Sequence, residues 1–277
     1  MVEREPHRLV FVGGVHRSGT SALYRVLGTH AEISCLSNTG VPEEEGQHLQ
    51  SVYPAARELG GAGRFGFRAQ ARMLEDSPLV TDENRRRLLA AWSPYWEMEK
   101  RFLVEKSPPN LTRSRFLQAL FPSSSFIFII RHPIPTTLST MKWSHTSITS
   151  LIEHWVICYE LLQEDLPFLE RPLFMKYEDL VAKPDEHADM IAKLLNVENR
   201  FDVTGIRGNV NDKYFALWDR LRIPSSGMGR RYWNRVVARL HGSKVGTIEY
   251  AREIEDVETR FETAINRFGY SFTQASS

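Results

Sequence analysis

The sequence predicts a single α/β domain in which a parallel β-sheet is covered by helices on both faces. Short runs of β-branched, aromatic and large aliphatic residues have the length and composition of buried strands. Segments with apolar residues at helical spacing separate them. Strands that alternate with helices in this way form parallel sheets. The 277 residues fit one larger α/β domain.

The predicted elements follow one another along the whole chain. The four strands are residues 9–12, 102–104, 126–130 and 173–175. Helical patterns follow Gly19, extend from Leu151 to Leu166, and recur from Ile254 to Ile265. About 90 residues separate the first two strands, which is more than one crossover helix needs. We expect residues from about 34 to 101 to form a helical insertion that contributes to a substrate pocket.

The composition is that of an ordinary globular protein without excess charge. Hydrophobic residues make up 42% and charged residues 25% of the chain, which argues against disorder. The 35 Lys and Arg residues nearly balance the 34 Asp and Glu residues. Non-specific binding of nucleic acid needs a large basic surplus, so this balance disfavours a nucleic-acid partner. A local basic pocket is still compatible with it.

Cysteine usage and hydropathy predict a cytoplasmic protein without a membrane span. Cys35 and Cys158 are far apart in sequence and form no CxxC pair, which favours a reducing compartment. The first residues, MVEREPHR, lack the apolar core of a signal peptide. The longest apolar runs, LVFV and FIFII, are far shorter than the roughly 20 residues that a membrane span needs. None of these features predicts an oligomeric state.

The sequence LVFVGGVHRSGTSAL predicts a phosphate-binding loop between the first strand and the first helix. Its glycines allow the backbone to curl around a phosphate, and the free N–H groups of a helix start bind anions. Gly14, Gly19 and Ser21 fit the P-loop pattern of nucleoside-triphosphate-binding proteins. However, Thr20 stands where that pattern has lysine, and the cation is Arg17 instead. The pattern indicates a P-loop-like site, although a tight turn with a surface arginine would also explain it.

A second strand-to-helix junction, IIRHPIPTTLSTMKW, carries Arg131 at the strand end and Ser139 in the following helix. P-loop enzymes have an aspartate at the corresponding strand end to organise Mg²⁺. A cation there repels the metal and attracts a second phosphate, which an arginine and a hydroxyl can share. The two junctions therefore favour a ligand with phosphates at two ends, bound without a metal. An ordinary arginine beside a helix-capping hydroxyl is the alternative interpretation.

Together, the two junctions resemble those of sulfotransferases that use 3′-phosphoadenosine 5′-phosphosulfate (PAPS). In that family, a loop similar to HRSGTSAL holds the 5′-phosphosulfate, and a segment similar to IIRHPIPTTLS holds the 3′-phosphate. The resemblance implies a P-loop-like fold, PAPS as co-substrate, and no metal. The residues that it assigns to the donor are Arg17, Ser18, Gly19, Thr20, Ser21, Arg131 and Ser139.

Two later segments extend the resemblance. MKYEDLVAKP is similar to the family stretch whose tyrosine lies near the nucleotide, and that tyrosine is Tyr177 here. SSGMGRRY resembles, with reordered residues, the basic glycine-rich loop that closes over the 3′-phosphate. This likeness assigns Gly229 and Arg230 to the loop, with Arg231 as the alternative. A packed turn and a solvated basic turn, respectively, would also explain the two segments.

The general base is predicted in VPEEEGQHLQ. This segment resembles the E-E-x-Q-F-F stretch of the carbohydrate-type, heparan-sulfate-like sulfotransferases, in which the second Glu is the base. The register assigns that role to Glu45. Neighbouring carboxylates raise a carboxyl pKa, which suits a base near neutral pH. His48 is the competing base because histidine is the commonest one, and Glu44 stays open. Without the resemblance, a solvated acidic loop is the simpler interpretation.

The segment FLVEKSPPNL resembles the E-K-[ST]-P stretch of the same carbohydrate-type enzymes. The likeness implies that Lys106 points into the cleft and contacts the transferring group or the acceptor. Arg17 replaces the loop lysine of many relatives, and an arginine is always charged, so it is a poor proton donor. The implied reaction is in-line sulfuryl transfer to a hydroxyl or amine of a small molecule or carbohydrate. Two alternatives stay open: a phosphotransferase that uses Mg²⁺ and ATP, and a non-catalytic nucleotide-binding module.

Overall fold

The computed structural model describes residues 7–206, 208, 210–222 and 247–273, with the backbone alone at 247–249. Gly229 and Arg230, together with the alternative Arg231, lie outside the described residues. Their assignment to a 3′-phosphate therefore stays a prediction.

Five parallel strands form the sheet of the described chain, in the order β2-β3-β1-β4-β5. The strands are β1 Arg8–Gly13, β2 Ile33–Cys35, β3 Phe102–Lys106, β4 Ser125–Ile130 and β5 Pro172–Lys176. The parallel sheet and the four predicted strands are confirmed. The edge strand β2 was missed, because a run of three residues is too short to stand out as a strand pattern.

Nine helices of the described chain surround this sheet. They are α1 Thr20–Leu27, α2 Asp82–Trp92, α3 Ser114–Leu120, α4 Pro133–Ser144, α5 Ile148–Asp165, α6 Tyr177–Ala182, α7 Pro184–Leu195, α8 Asp212–Arg222 and α9 Thr247–Asn266. All six residues of the interior strand β4 are buried, as expected for a strand covered on both faces. Over the described ranges, no helix combines the length and the apolar character that crossing a bilayer requires.

The insertion between β2 and β3 is less helical than its length suggests. It contains one α-helix, α2, and otherwise short 3₁₀ turns. Gly60, Gly61 and Gly63 have positive φ angles of 101°, 84° and 74°, which interrupt a regular helix. Gly63 also packs closely on α5, because a Cβ there would lie 2.2 Å from Leu151 Cδ2. The glycine-rich segment thus packs against α5 at Gly63 and Gly66.

Candidate functional site

A cleft of about 590 Å³ opens at the carboxyl edge of the sheet, where β1 and β4 lead into loops. Its lining includes seven of the predicted site residues: Arg17, Gly19, Thr20, Ser21, Glu45, Arg131 and Tyr177. Residues that are up to 160 positions apart in sequence therefore meet at one surface. The carboxyl edge of a parallel sheet is where α/β proteins bind their ligands.

The phosphate loop, residues 13–21, has a backbone that only glycine permits at one position. Gly19 precedes α1 with φ 106°, and a Cβ there would lie 2.4 Å from Tyr177 Cδ2. The first N–H groups of α1 have no intrahelical partner and are available to an anion. Ser18 is fully buried beneath the loop, and Arg17 is exposed with φ 71°. The loop therefore forms an open cradle with a cation at its rim.

Arg131 connects the phosphate loop to the other end of the cleft. Its Nη1 donates to the Arg17 carbonyl oxygen at 2.9 Å, and its Nε and Nη2 donate to Asn211 Oδ1 at 2.9 and 2.6 Å. The guanidinium lies 4.7 Å from the ring centroid of Tyr177. Burial lowers the pKa of Arg131, and nearby Tyr177 and Glu178 oppose that shift. An arginine keeps its charge even so, which places a fixed cation at this position.

Glu178 holds the surroundings of Arg131 together. Its carboxylate accepts hydrogen bonds from the His132 backbone N–H at 3.0 Å, from Asn211 Nδ2 at 2.9 Å and from the Tyr270 hydroxyl at 2.8 Å. Sequence patterns revealed neither this role nor that of Asn211. Glu178 follows Tyr177 in the quoted motif and could have been found there. Asn211 lies in a segment without a recognisable pattern.

His132 is a neutral part of the same support. Its Nδ1 accepts a hydrogen bond from the Ile134 N–H at 3.2 Å and so caps α4, while Nε2 lies 3.2 Å from the Ser271 carbonyl oxygen. One acceptor and one donor nitrogen describe a neutral imidazole. Burial lowers the pKa of His132 to about 4, which agrees with that assignment.

Ser139 is buried in α4 and is absent from the lining of the cleft, as far as the described residues define it. Its hydroxyl donates to the Pro135 carbonyl oxygen at 2.6 Å, one helical turn earlier. A hydroxyl that donates in this way still has an acceptor lone pair but no second proton. Its assignment to a phosphate stays a prediction.

Two aromatic residues of α5 fix the backbone on which the site is built. Trp155 Nε1 donates to the Arg131 carbonyl oxygen at 3.0 Å. The Tyr159 hydroxyl donates to the Ile129 carbonyl oxygen at 2.9 Å and accepts from the Val15 N–H at 3.3 Å. These side chains belong to the core, and they also hold the phosphate loop against β4.

The base loop, residues 41–49, places Glu45 at the edge of the cleft. Glu45 is only 6% exposed, and its Oε1 lies 3.3 Å from Lys106 Nζ. Gln47 Nε2 donates to Glu45 Oε2 at 2.5 Å, and His48 Nε2 lies 3.7 Å from the same oxygen. Burial raises the pKa of Glu45, and the Lys106 ammonium opposes that shift. Glu45 therefore combines a raised proton affinity with a fixed orientation, as a general base requires.

The neighbouring carboxylates have other partners. Glu44 Oε2 accepts hydrogen bonds from the backbone N–H of Thr39 at 2.9 Å and from its hydroxyl. Glu43 Oε2 accepts from the Ser21 hydroxyl at 3.1 Å, which joins the base loop to the phosphate loop. Glu43 and Glu44 both have left-handed backbones, with φ 55° and 54°. Such strain in two consecutive non-glycine residues is uncommon, and strained residues cluster at functional sites.

Lys106 and His48 lie behind Glu45 and do not line the cleft within the described residues. Lys106 is 1% exposed, and its Nζ donates to the Glu43 carbonyl oxygen at 2.6 Å. Burial lowers the pKa of His48, with Arg57 and Lys106 adding to the shift. The predicted direct contact of Lys106 with a transferring group stays a prediction, since this structure shows Lys106 holding the base loop.

The residues of the lining that were not predicted include His16, Arg25 and Trp143. The guanidinium of Arg17 lies 4.8 Å from the ring centroid of Trp143, which is 54% exposed at the end of α4. Burial lowers the pKa of His16 to about 4, and Lys106 adds to the shift. His16 and Arg25 stand within or just after the recognised loop motif, but the motif assigns no role to either position. Trp143 is the last residue of the junction IIRHPIPTTLSTMKW, four residues beyond the part that resembles the family.

The part of the chain that contains these motifs is similar to known proteins. A family model described as "Sulfotransferase family" matches residues 9–202. The chain is 25% identical over 198 residues to protein-tyrosine sulfotransferase 2 of Gallus gallus, covering 68% of this chain and 51% of that protein. It is 26% identical over 203 residues to protein-tyrosine sulfotransferase of Drosophila melanogaster, covering 68% and 38%. The chain thus spans about half the length of these curated relatives, or less.

Among solved structures, a sulfotransferase of Mycobacterium tuberculosis has a TM-score of 0.49 and 17% identity, covering 71% of this chain and 69% of that one. The closer likeness to carbohydrate-type enzymes stays a prediction, since the curated relatives named above are protein-tyrosine sulfotransferases. The resemblance at the level of the family is confirmed. Because the family model matches more than half of its residues, this chain belongs to the sulfotransferase family.

Proposed function

We propose that this protein transfers a sulfuryl group from PAPS to an acceptor hydroxyl or amine, with Glu45 as the general base. One observation supports the proposal above the others. A phosphate loop with a cation, a second buried cation and a buried carboxylate share one cleft. Family membership supports the same reaction class.

The residues of the cleft fit a nucleotide that carries phosphate groups at both ends. The cradle at Gly19 leaves no space for a Cβ and presents the N–H groups of α1. Arg17 would hold the 5′ end and Arg131 the 3′ end. The hydrogen bond from Arg131 to the Arg17 carbonyl oxygen fixes the two sites relative to each other. Arg131 stands where P-loop enzymes have their metal-binding aspartate, which favours an anion over Mg²⁺.

The proposed reaction is a direct displacement at sulfur. Glu45 removes the proton of the acceptor hydroxyl or amine while the new bond to sulfur forms. The bond between sulfur and the 5′-phosphate oxygen breaks, leaving 3′-phosphoadenosine 5′-phosphate and the sulfated acceptor. Arg17 stabilises the negative charge that develops on the departing phosphate, because a fixed cation in a preorganised site favours that charge.

Lys106 keeps Glu45 ionised and correctly placed. Burial alone would favour the neutral carboxyl, and the ammonium 3.3 Å away offsets part of that effect. Gln47 restrains the second carboxylate oxygen. The rate of transfer should therefore fall as the pH drops through the pKa of Glu45, because only the carboxylate accepts a proton. Since that pKa is raised, the fall should begin above the pH at which an ordinary glutamate titrates.

The acceptor class is the open part of the proposal. The sequence motifs imply a small-molecule or carbohydrate acceptor. The names of the curated relatives add a further candidate acceptor, the phenol of a protein tyrosine. The exposed ring of Trp143 at the rim of the cleft offers a surface on which an aromatic or sugar ring could stack. A cytoplasmic location and the absence of a nucleic-acid partner are also predictions.

The test is a transfer assay with PAPS labelled with ³⁵S and three acceptor sets: phenols with tyrosine peptides, sugars, and aliphatic alcohols with amines. We expect label in an acceptor of one set, in the presence of EDTA. Unlabelled PAPS at excess should suppress the signal. Label transfer only from γ-³²P-ATP with Mg²⁺ would contradict the proposal and support a phosphotransferase.

A further inference from the structure

A second buried carboxylate lies beneath the base loop. Glu105 is in β3 and is 0% exposed. The Ser107 hydroxyl donates to its Oε1, and Asn110 Nδ2 donates to its Oε2 at 2.6 Å. A buried carboxylate is costly unless it is hydrogen-bonded, and these two donors satisfy that requirement. The reaction proposed above assigns no role to Glu105.

The two donors connect Glu105 to both halves of the site. Ser107 Oγ also accepts a hydrogen bond from the Gln47 N–H at 3.0 Å, which holds the base loop. Asn110 Nδ2 also donates to the Val12 carbonyl oxygen at 3.1 Å, in the strand that leads into the phosphate loop. One carboxylate thus links the base loop to β1 through two side chains.

Gly46, which follows Glu45, rests directly on Glu105. A Cβ at Gly46 would lie 2.5 Å from Glu105 Cγ, so the glycine is required for this approach. Trp92 Nε1 donates to the Gly46 carbonyl oxygen at 3.0 Å and holds the same peptide from α2. The position of the Glu45 backbone therefore depends on the side chain of Glu105.

Several titratable groups surround the Glu45 carboxylate. Lys106 and His48 face its carboxylate, and Glu105 acts on it through space. Burial raises the pKa of Glu105. The hydrogen bonds from Ser107 and Asn110 oppose that shift, as do Lys106 and Arg113, a fully buried arginine. Further titratable neighbours among the described residues are His16 and the phenols of Tyr24 and Tyr53. Arg57 and Glu58 act on His48. A negative charge close to a carboxylate disfavours its ionisation.

We propose that Glu105 is a positioning residue for Glu45: it fixes the base loop against β1 and places a second buried negative charge beside the base. The proposal rests on the function proposed above, because only there is Glu45 the base. Replacing Glu105 by glutamine keeps the size of the side chain and removes the charge. Glu45 should then release its proton at lower pH.

The experiment is a ¹³C NMR titration of the protein labelled at glutamate side-chain carboxyls, without any ligand. The Glu45 signal is identified as the one lost in Glu45→Gln. In Glu105→Gln, we expect its midpoint to fall by about one pH unit. The matched control is Asp165→Asn. Asp165 is another buried carboxylate, and it pairs with Arg72 and Arg115. An unchanged Glu45 midpoint in Glu105→Gln, or an equal displacement in Asp165→Asn, overturns the proposal.

A second variant tests whether this hydrogen-bond network holds the base loop in place. It remains informative if Glu105→Gln fails to fold. Ser107→Ala retains the charge of Glu105 but removes the acceptor for the Gln47 N–H. Hydrogen exchange at Gln47 should become at least about tenfold faster. Unchanged exchange there contradicts the proposal. Both readouts are independent of sulfuryl transfer, so an inactive wild-type protein would refute the proposed function and leave these results interpretable.

Discussion

The phosphate loop and the base loop meet at one cleft, but different interactions hold them. The phosphate loop connects a strand to a helix, and its shape follows from Gly19 and the start of α1. The base loop has two 3₁₀ turns and two strained glutamates, and its contacts come from β3 and α2. Distant residues contact both loops, including Arg131 and Tyr159 at the phosphate loop. The difference is that the start of a helix shapes the phosphate loop, whereas no α-helix begins or ends in the base loop.

The largest effect is expected on the rate of transfer, and it distinguishes the role of the base loop from that of the phosphate loop. Glu45→Gln should lower the rate of transfer by about a thousandfold, because the amide cannot accept the acceptor proton. The affinity for 3′-phosphoadenosine 5′-phosphate should stay within about twofold, because a neutral amide leaves the cations of the phosphate side intact. Transfer kinetics and calorimetry measure the two quantities.

Glu44→Gln serves as the control for this variant, because Glu44 is engaged by Thr39 and does not contact Lys106 through any described hydrogen bond or ion pair. It should keep most of the transfer rate. Equal losses in the two variants would contradict the assignment of the base to Glu45.

The second effect is a loss of bisphosphate binding, caused by a substitution that disturbs the phosphate loop and leaves the base loop unchanged. Gly19→Ala should weaken binding of the bisphosphate at least about tenfold and lower the free energy of unfolding by about 2 kcal/mol. The reason is twofold: φ is 106°, and the new Cβ would meet the Tyr177 ring. Gly40→Ala is the matched control, since Gly40 also has a positive φ, 72°, but a Cβ there meets nothing within 4 Å. If Gly40→Ala weakened bisphosphate binding equally, the contact with Tyr177 would have no part in the effect.

The third effect is on kcat and concerns the placement of Glu45 in the base loop. Gln47→Ala removes the hydrogen bond to Glu45 and the acceptor for the Ala56 N–H. We expect the rate constant kcat to fall about tenfold with little change in donor KM, since a carboxylate that is less well placed still has its charge. A donor KM that rose in proportion to the loss of kcat would show that the loop serves binding instead.

The smallest effect concerns stability. His16 and His132, on the phosphate side, have pKa values lowered to about 4, so the unfolded chain binds their protons more readily. Their contribution to stability is lost as the pH falls from 6.5 towards 4. Glu45 acts in the opposite sense: because its pKa is raised, its contribution increases as the pH falls. His16 and Glu45 should therefore respond to acid with opposite signs, whereas His48 in the base loop has the same sign as His16.

Urea unfolding at pH 7 and pH 5 measures this difference. His132→Asn should reduce the loss of unfolding free energy on acidification by about 1 kcal/mol, because one titrating histidine is removed. Glu45→Gln should make that loss larger. A change of the same sign in both variants would contradict the assigned protonation states.

The same contrast explains what the sequence could predict. The parallel sheet, the phosphate loop and Arg131 follow from local patterns, because strand, glycine and helix start are adjacent in the chain. Glu45 was assigned through a resemblance, and its contacts with Lys106 and Gln47 follow from tertiary packing. The hydrogen bonds of Glu178 and Asn211 to the surroundings of Arg131 depend on loops whose path no short motif specifies.

Further omissions have the same physical origin. Edge strand β2 is three residues long, and its pairing with β3 identifies it better than its composition does. Trp143 reaches the cleft only because α4 brings its last turn beside Arg17. The insertion was expected to be helical because of its length, but positive φ angles at several glycines turn the chain too often.

We expect Arg17 and Arg131 to form one metal-independent site for a nucleotide with phosphates at two ends. The test is a calorimetric titration with 3′-phosphoadenosine 5′-phosphate in EDTA. We predict one binding site per chain, an affinity about a hundredfold weaker in Arg131→Ala, and an unchanged affinity in Glu45→Gln. Binding of Mg²⁺-ATP together with indifference to the bisphosphate would contradict the claim.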